Sequence, residues 1–264
     1  MNAARLKKSR IVFSMETKVA AKTKLGDRTF DVITGEKLNV LSVFQTINRI
    51  LEQLGKPVKF KDADGISTSR ISIEKRLRRN GKGIRYVQVD GLVLQVGNVT
   101  ARGQSFISIE EKSEGAAVSW ERWVSPFLEW PNFVQAWVTD REYNYWQNAE
   151  DPIQYKGVRD MTGLKMESNG EPFPLERQIV DISENPGRWE FHQGYIEAIG
   201  PLMWLGDNFW RAIGRNNQDA LAKLPWLHLT KPREGILQLS SSIYFQDETT
   251  APEQNALRAA IYGS

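Results

Sequence analysis

The stretch from Gly194 to Trp210, Gly-Tyr-Ile-Glu-Ala-Ile-Gly-Pro-Leu-Met-Trp-Leu-Gly-Asp-Asn-Phe-Trp, constrains the fold more than any other part of the chain. It crowds Tyr195, Met203, Trp204, Phe209 and Trp210 between Gly194, Gly200 and Gly206. Rings of that size beside residues with no side chain indicate a backbone that turns closely around an apolar centre. The stretch offers little chemistry of its own. It is expected to be core.

The tryptophans extend this bias, since all nine lie between Trp120 and Trp226. Charge divides the chain at a similar place. Residues 1–100 carry 20 Lys+Arg against 9 Asp+Glu, and the remainder carries 15 against 23. The net charge of +3 therefore hides a basic first part at +11 and an acidic, Trp-rich part at −8. Such asymmetry bears on partners rather than on fold. With 264 residues, 41% of them hydrophobic and 25% charged, the chain can bury a sizeable core. We read it as one α+β domain over 1–264, with 1–115 and 116–264 as its basic and acidic halves. Cysteine is absent, which excludes disulfides and thiolate metal sites. The basic N-terminus lacks the apolar core of about 7–15 residues that a secretory signal needs. No run approaches the roughly 20 apolar residues of a membrane span. A cytoplasmic protein is expected, with no membrane partner.

Periodicity places the elements. Ile11–Met15 and Thr29–Ile33 read as short strands. Val40, Val43, Phe44, Ile47, Ile50, Leu51 and Leu54 recur at three- and four-residue steps, which predicts an amphipathic helix capped by Asn39 and stopped by Gly55. Lys56–Thr68 reads as loop, and the charged run after it reaches an Asn80-Gly81 turn. Val87 and Val89, the Asp90-Gly91 pair, then Leu92, Leu94 and Val96 predict a hairpin, with Ile107 and Ile109 on a third strand. Trp120, Trp123 and Val124 share a helical spacing that Pro126 interrupts. Val134, Ala136 and Val138 alternate with Gln135 and Trp137, as in a strand covered on both faces.

From Asp140 to Glu150 a helix is expected, with Tyr143 and Trp146 three residues apart. Gly157–Glu176 is loop-rich, Ile179–Ile182 is a short strand, and Trp189, Phe191 and Gln193 alternate. Asp207 is the expected N-cap of a helix that ends at Gly214. A further helix is expected over Asp219–Leu224 and a strand over Ile236–Phe245. Thr250 and Glu253 form a capping box before a last helix with Leu257, Ala260 and Ile261 inward. Strands and helices without strict alternation indicate an α+β fold, with mixed or antiparallel sheets packed against helices.

Catalytic patterns are sparse. There is no Gly-x-Ser-x-Gly elbow, and the two histidines, His192 and His228, lie in no metal-ligand spacing such as His-Glu-x-x-His. Asn80-Gly-Lys-Gly83 lacks both the spacing and the Ser/Thr of a phosphate-binding loop. One layout resembles restriction-endonuclease-type nucleases: Asp90, a strand, then Glu110-Glu111-Lys112. In that pattern paired carboxylates bind a divalent metal and the lysine assists the attacking water. It would give Asp90, Glu110 and Lys112 catalytic roles. The competing reading makes Asp90 a hairpin-turn residue and Glu110–Lys112 a solvated strand end. The basic run Lys75–Arg85 could hold a nucleic-acid backbone without cutting it, although only Tyr86 is near to stack on a base.

Three segments carry a family resemblance. They are Asp181-Ile-Ser-Glu-Asn-Pro-Gly-Arg188, the stretch from Tyr195 through Gly200-Pro-Leu-Met-Trp-Leu-Gly-Asp-Asn-Phe-Trp210, and Glu253-Gln-Asn-Ala-Leu-Arg-Ala-Ala-Ile-Tyr262. Together they resemble the C-terminal part of bacterial toxin-immunity proteins of type VI secretion and polymorphic toxin systems. Some of those families are paired with restriction-endonuclease-fold nuclease toxins. The likeness covers roughly the last third of the chain. It implies a non-catalytic protein, without cofactor or metal, that binds and neutralises a cognate toxin. Acidic residues among aromatic ones would suit a basic nuclease toxin. The candidates are Asp140, Glu142, Glu150, Asp151 and Asp160 around Tyr143, Tyr145 and Trp146. The +11 first part departs from the acidic balance usual for nuclease inhibitors.

Overall fold

The computed structural model describes residues 8–16, 21–25, 28–32, 38–80, 83–99 and 102–263. In chain order, β1 (Ser9–Glu16) is followed by a separate hairpin, β2 (Ala21–Leu25) with β3 (Arg28–Val32), and by α1 (Val40–Gln53). Two short strands, β4 (Phe60–Lys61) and β5 (Ser67–Thr68), precede α2 (Arg70–Asn80). A meander follows: β6 (Ile84–Val89), β7 (Leu92–Val99) and β8 (Gln104–Glu111). Then come α3 (Trp120–Val124), β9 (Phe133–Asp140) and α4 (Arg141–Gln147). Next is an excursion with two small hairpins, β10 (Met166–Ser168) with β11 (Gln178–Val180), and β12 (Glu190–Phe191) with β13 (Ile196–Glu197). The chain returns through β14 (Leu202–Gly206), α5 (Asp207–Ile213), α6 (Gln218–Leu221), β15 (Leu227–Arg233), β16 (Ile236–Ser241) and α7 (Ala251–Tyr262).

Ten of these strands form one sheet in the order β15-β16-β14-β9-β1-β8-β7-β6-β4-β5, and every neighbouring pair is antiparallel. The fold is α+β. Strand β1 comes from the basic half and lies between β8 and β9, so the sheet runs unbroken across the charge boundary.

Alternation along the strands builds a core on each face. Ile11, Phe13 and Met15 of β1 join Leu92, Leu94, Ile107 and Ile109 under α1, α2 and α3. Val12 points the other way and joins Trp137, Met203, Leu205, Leu237 and Leu239 beneath α5 and α7. All eight residues of β9 are buried, as a strand with two covered faces requires. A bulge where Ser14 and Met15 meet β9 lets Phe133 and Ala136 share the first core while Val134 and Trp137 share the second.

Gly194–Trp210 occupies the position its composition demands. Met203, Trp204, Phe209 and Trp210 are all buried, with Trp204 reaching through to the α1 side of the sheet. A Cβ on Gly200 would stand 2.1 Å from the Val138 carbonyl oxygen, so only glycine permits this approach to β9. The local signals also hold. Asn39 accepts a hydrogen bond from the Ser42 amide to cap α1, and Asp90 and Gly91 both take positive φ in the β6–β7 turn.

The differences have local causes. Helix α2 has an apolar stripe of only Ile73 and Leu77 among exposed basic residues, too thin to announce itself. The expected Lys56–Thr68 loop holds β4 and β5, which extend the sheet edge. Asp207 is the first residue of α5, and Gly206 takes the cap position. Thr250 makes no side-chain cap to α7; Asp247 instead accepts from the Thr249 amide in the preceding 3-10 turn. Strand β16 stops at Ser241 rather than Phe245. Ile33, Gly81 and Lys82, which belong to an expected strand, turn and basic run, lie outside the described residues.

Trp204→Ala is predicted to lower stability by about 3–5 kcal/mol, read from the urea unfolding midpoint at constant slope. An unchanged midpoint would remove Trp204 from the core.

Candidate functional site

Helix α4 begins where β9 leaves the sheet, and its cap and inward face hold three of the expected interface residues. Asp140 is buried, and its side chain accepts a hydrogen bond of 2.8 Å from the Tyr143 amide, which satisfies a helix N-terminus. Tyr143 is buried and accepts 3.0 Å from Gln254 Nε2 on α7. Burial pushes its phenol up to about 12, with the Glu248 and Asp247 carboxylates acting in the same direction. Trp146 is buried between Tyr145 and Tyr155, with the Arg159 guanidinium 4.4 Å from its ring centre. Asp140, Tyr143 and Trp146 therefore hold the fold together and lie behind the surface.

Trp146, Ala149, Tyr155 and Val180 form a small satellite core that anchors the excursion after α4. Glu142, Tyr145, Glu150 and Asp160 of the expected set are exposed on or near it. Asp151 accepts from the Ile153 amide to cap a 3-10 turn and pairs with Arg177 at 3.2 Å. Asp160 accepts from the Thr162 amide and hydroxyl, which holds its carboxyl below the usual range.

The excursion also exposes apolar residues that acidic and aromatic clustering did not reveal. Phe173 is 91% exposed, Ile153 73%, Val158 69% and Leu175 66%. Met166 and Tyr145 are exposed too. Most of the exposed large apolar residues among the described ones thus fall in a single segment, over 145–175. The available signal was Pro172-Phe-Pro-Leu175, apolar residues set between prolines in a loop-rich stretch. Glu167, Glu171 and Glu176 are exposed beside them. A small anchored platform with apolar tips among carboxylates has the make-up of a binding surface.

Of the nuclease-like residues, Glu110 and Lys112 pair with each other, while Asp90 is taken up elsewhere. The Asp90 carboxylate turns to Lys56 Nζ at 2.7 Å, just beyond α1. Glu110 lies on the opposite face from Ile109, where its carboxylate takes Arg141 Nε at 2.8 Å and Lys112 Nζ at 3.7 Å. Glu111 is buried and accepts from the Ser9 amide and hydroxyl and from the Ala117 amide. Each carboxylate has a structural partner.

Lys75, Arg76, Arg78, Arg79 and Arg85 are exposed on and after α2. An open cleft of about 450 Å³ beside them brings Arg76, Arg85 and Tyr86 opposite Asp62 and Asp64. Carboxylates among the cations break the single-sign track that a phosphate backbone favours. Among the described residues, the converging group of three metal-ligating side chains is Glu190, His192 and Glu197.

No family model matches the chain, and no curated protein does. Among solved structures it is similar to the T6SS protein PA0821 of Pseudomonas aeruginosa. The identity is 8%, over 97% of this chain and 72% of that one, with a TM-score of 0.49. A likeness of that size says nothing about activity. No helix among the described residues is long and apolar enough to cross a membrane.

Burial of Tyr143 sets a pH dependence. The phenol is neutral when protonated, and the folded chain keeps that proton up to about 12 while the unfolded chain loses it near 10. Stability from this difference is complete below pH 10 and falls as pH rises towards 12. The buried Tyr262 phenol, also raised by burial, acts in the same direction. Urea midpoints measured across this window should fall with pH, and fall less steeply in Tyr143→Phe. Equal slopes would show that Tyr143 titrates as it does in the unfolded chain.

Proposed function

We propose that this chain is an immunity protein that binds and neutralises a cognate secreted antibacterial toxin. The observation that carries this reading is the platform over 145–175. Phe173, Leu175, Ile153 and Val158 stand exposed there, in a segment that also exposes the carboxylates Glu150, Asp160, Glu167, Glu171 and Glu176 and the cations Lys156, Arg159, Lys165 and Arg177. Large apolar residues left in water are costly to keep unless a partner covers them, and apolar anchors ringed by charge are the usual composition of a protein interface. The carboxylates suit a basic partner, and a toxin that acts on nucleic acid is basic because it must hold phosphates. The resemblance of 181–188, 195–210 and 253–262 to toxin-immunity proteins supports the same role.

On this reading the fold supplies a rigid support and the platform supplies contact. Burial of the apolar tips holds the complex, and the mixed charges around them set its orientation. Glu142, Tyr145, Glu150 and Asp160 remain at the interface from the set the sequence nominated. Asp140, Tyr143 and Trp146 hold the platform in place from beneath.

The test is co-expression with the product of the adjacent gene, followed by affinity measurement. The wild-type chain should form a complex that survives purification and should abolish toxicity. Phe173→Asp with Leu175→Asp should weaken binding at least tenfold while leaving the melting temperature unchanged. Absence of a complex, or undiminished binding by the double variant, would contradict the proposal.

A further inference from the structure

We infer that Glu190, His192 and Glu197 form a binding site for a divalent transition metal of the zinc class. The three residues lie on the hairpin of β12 and β13, where Glu190 and Glu197 are directly paired across the two strands and His192 sits in the connecting turn. Their ligand atoms all lie within 4.8 Å of one another. His192 Nε2 is 3.4 Å from Glu197 Oε2 and 3.9 Å from Glu190 Oε2.

Both spacings are long for hydrogen bonds; the 3.4 Å one matches a tetrahedral ligand pair, and the 3.9 Å one is a few tenths of an ångström wider, a gap that a carboxylate rotation closes. Two donors bound tetrahedrally at about 2.0–2.2 Å from zinc stand about 3.3–3.6 Å apart. The Nε2 atom is shielded from solvent and makes no hydrogen bond, although it faces two carboxylates. A shielded ring nitrogen that makes no hydrogen bond carries a desolvation cost, which coordination to a metal would remove.

The outer shell is also built. Arg258 Nη1 donates to Glu197 Oε1 at 2.6 Å, and Arg188 Nε donates to Glu190 Oε1 at 2.7 Å. Each carboxylate therefore has one oxygen fixed by an arginine and turns the other to His192. Such second contacts orient ligands in metal sites. Arg258 is itself held by the Pro186 and Arg188 carbonyls, and the His192 ring stacks on Tyr195 with centroids 4.7 Å apart. Gln104 Nε2 donates to both the His192 and Tyr195 carbonyls, at 2.7 and 2.6 Å, which pins the turn to the sheet.

The ligand set selects the metal. Three donors that include an imidazole are too few and too soft for calcium or magnesium, which take six or more oxygens. The side chains of Glu190 and His192 are 43% and 38% exposed, so an ion can reach the site from solvent with small side-chain movements. The two arginines offset the two carboxylates, which favours an ion that gains its affinity from imidazole coordination rather than from charge alone.

Calorimetric titration of the chelator-treated full chain with Zn²⁺ alone tests the site. One equivalent should bind and raise the melting temperature, and Co²⁺ should give the visible absorption of a tetrahedral or five-coordinate ion. His192→Ala and Glu190→Gln, both on partly exposed side chains, should lower affinity at least tenfold and abolish the Co²⁺ spectrum, while circular dichroism stays unchanged. His228→Ala should bind as the wild type does. No Zn²⁺ binding by the wild type, equal binding by His192→Ala, or loss of binding in His228→Ala would each overturn the assignment. None of these readouts depends on a toxin, so this site and the platform stand or fall separately.

Discussion

The placement of one strand decides how the rest of this protein is built. Strand β1 hydrogen-bonds to β8 along one edge and to β9 along the other, so residues near the start of the chain join the meander of the basic half to the strands of the acidic half. Its side chains feed both cores: Ile11, Phe13 and Met15 on one face, Val12 on the other. Arg10 extends the link beyond the sheet. It donates 2.7 Å to Ser108 Oγ and lies over the Trp189 ring, at the approach to the β12–β13 hairpin. The charge asymmetry is therefore a property of two ends of one sheet.

A doubly covered sheet leaves few places for binding. The faces of β9 and β14 are occupied by helices, and Gly194–Trp210 is committed to packing. Free surface remains on the sheet edges, on α2 and on chain that leaves the sheet and returns to it. The segment between α4 and β14 does so. It carries its own satellite core around Trp146 and Tyr155, which fixes its base, and its apolar residues Ile153, Val158 and Phe173 face solvent. Rigid support with exposed anchors lowers the entropy lost on association, because the anchors need not be ordered at the moment of contact.

The core was the most legible part of the sequence. Period-two and period-3.6 patterns identify β1, α1, the β6–β7 hairpin and β9 because in each the apolar face is continuous and the capping or turn residues agree with it. Helix α2 was obscured by its surface role, with Ile73 and Leu77 the only residues turned inward. The proposed contact surface was harder to read. Asp140, Tyr143 and Trp146 look like an acidic, aromatic patch in sequence, yet an N-cap and a helix stripe put them inside, since residues three apart on a helix share a face. Phe173 shows the reverse case, an apolar residue that pattern alone would send to a core. The Glu190–His192–Glu197 group was not legible from ligand spacing, because its third member is brought in by the pairing of Glu190 with Glu197 across a hairpin.

Hydrogen–deuterium exchange on the chain with and without the proposed toxin partner tests the central claim most directly, that partner contact is confined to the platform while the sheet serves as support. The account predicts new protection over residues 150–178, with the amides of β9 and β14 equally slow in both states. Protection that falls instead on α2 and the Arg76–Arg85 cleft, or a change in β9 and β14 without one at 150–178, would contradict it.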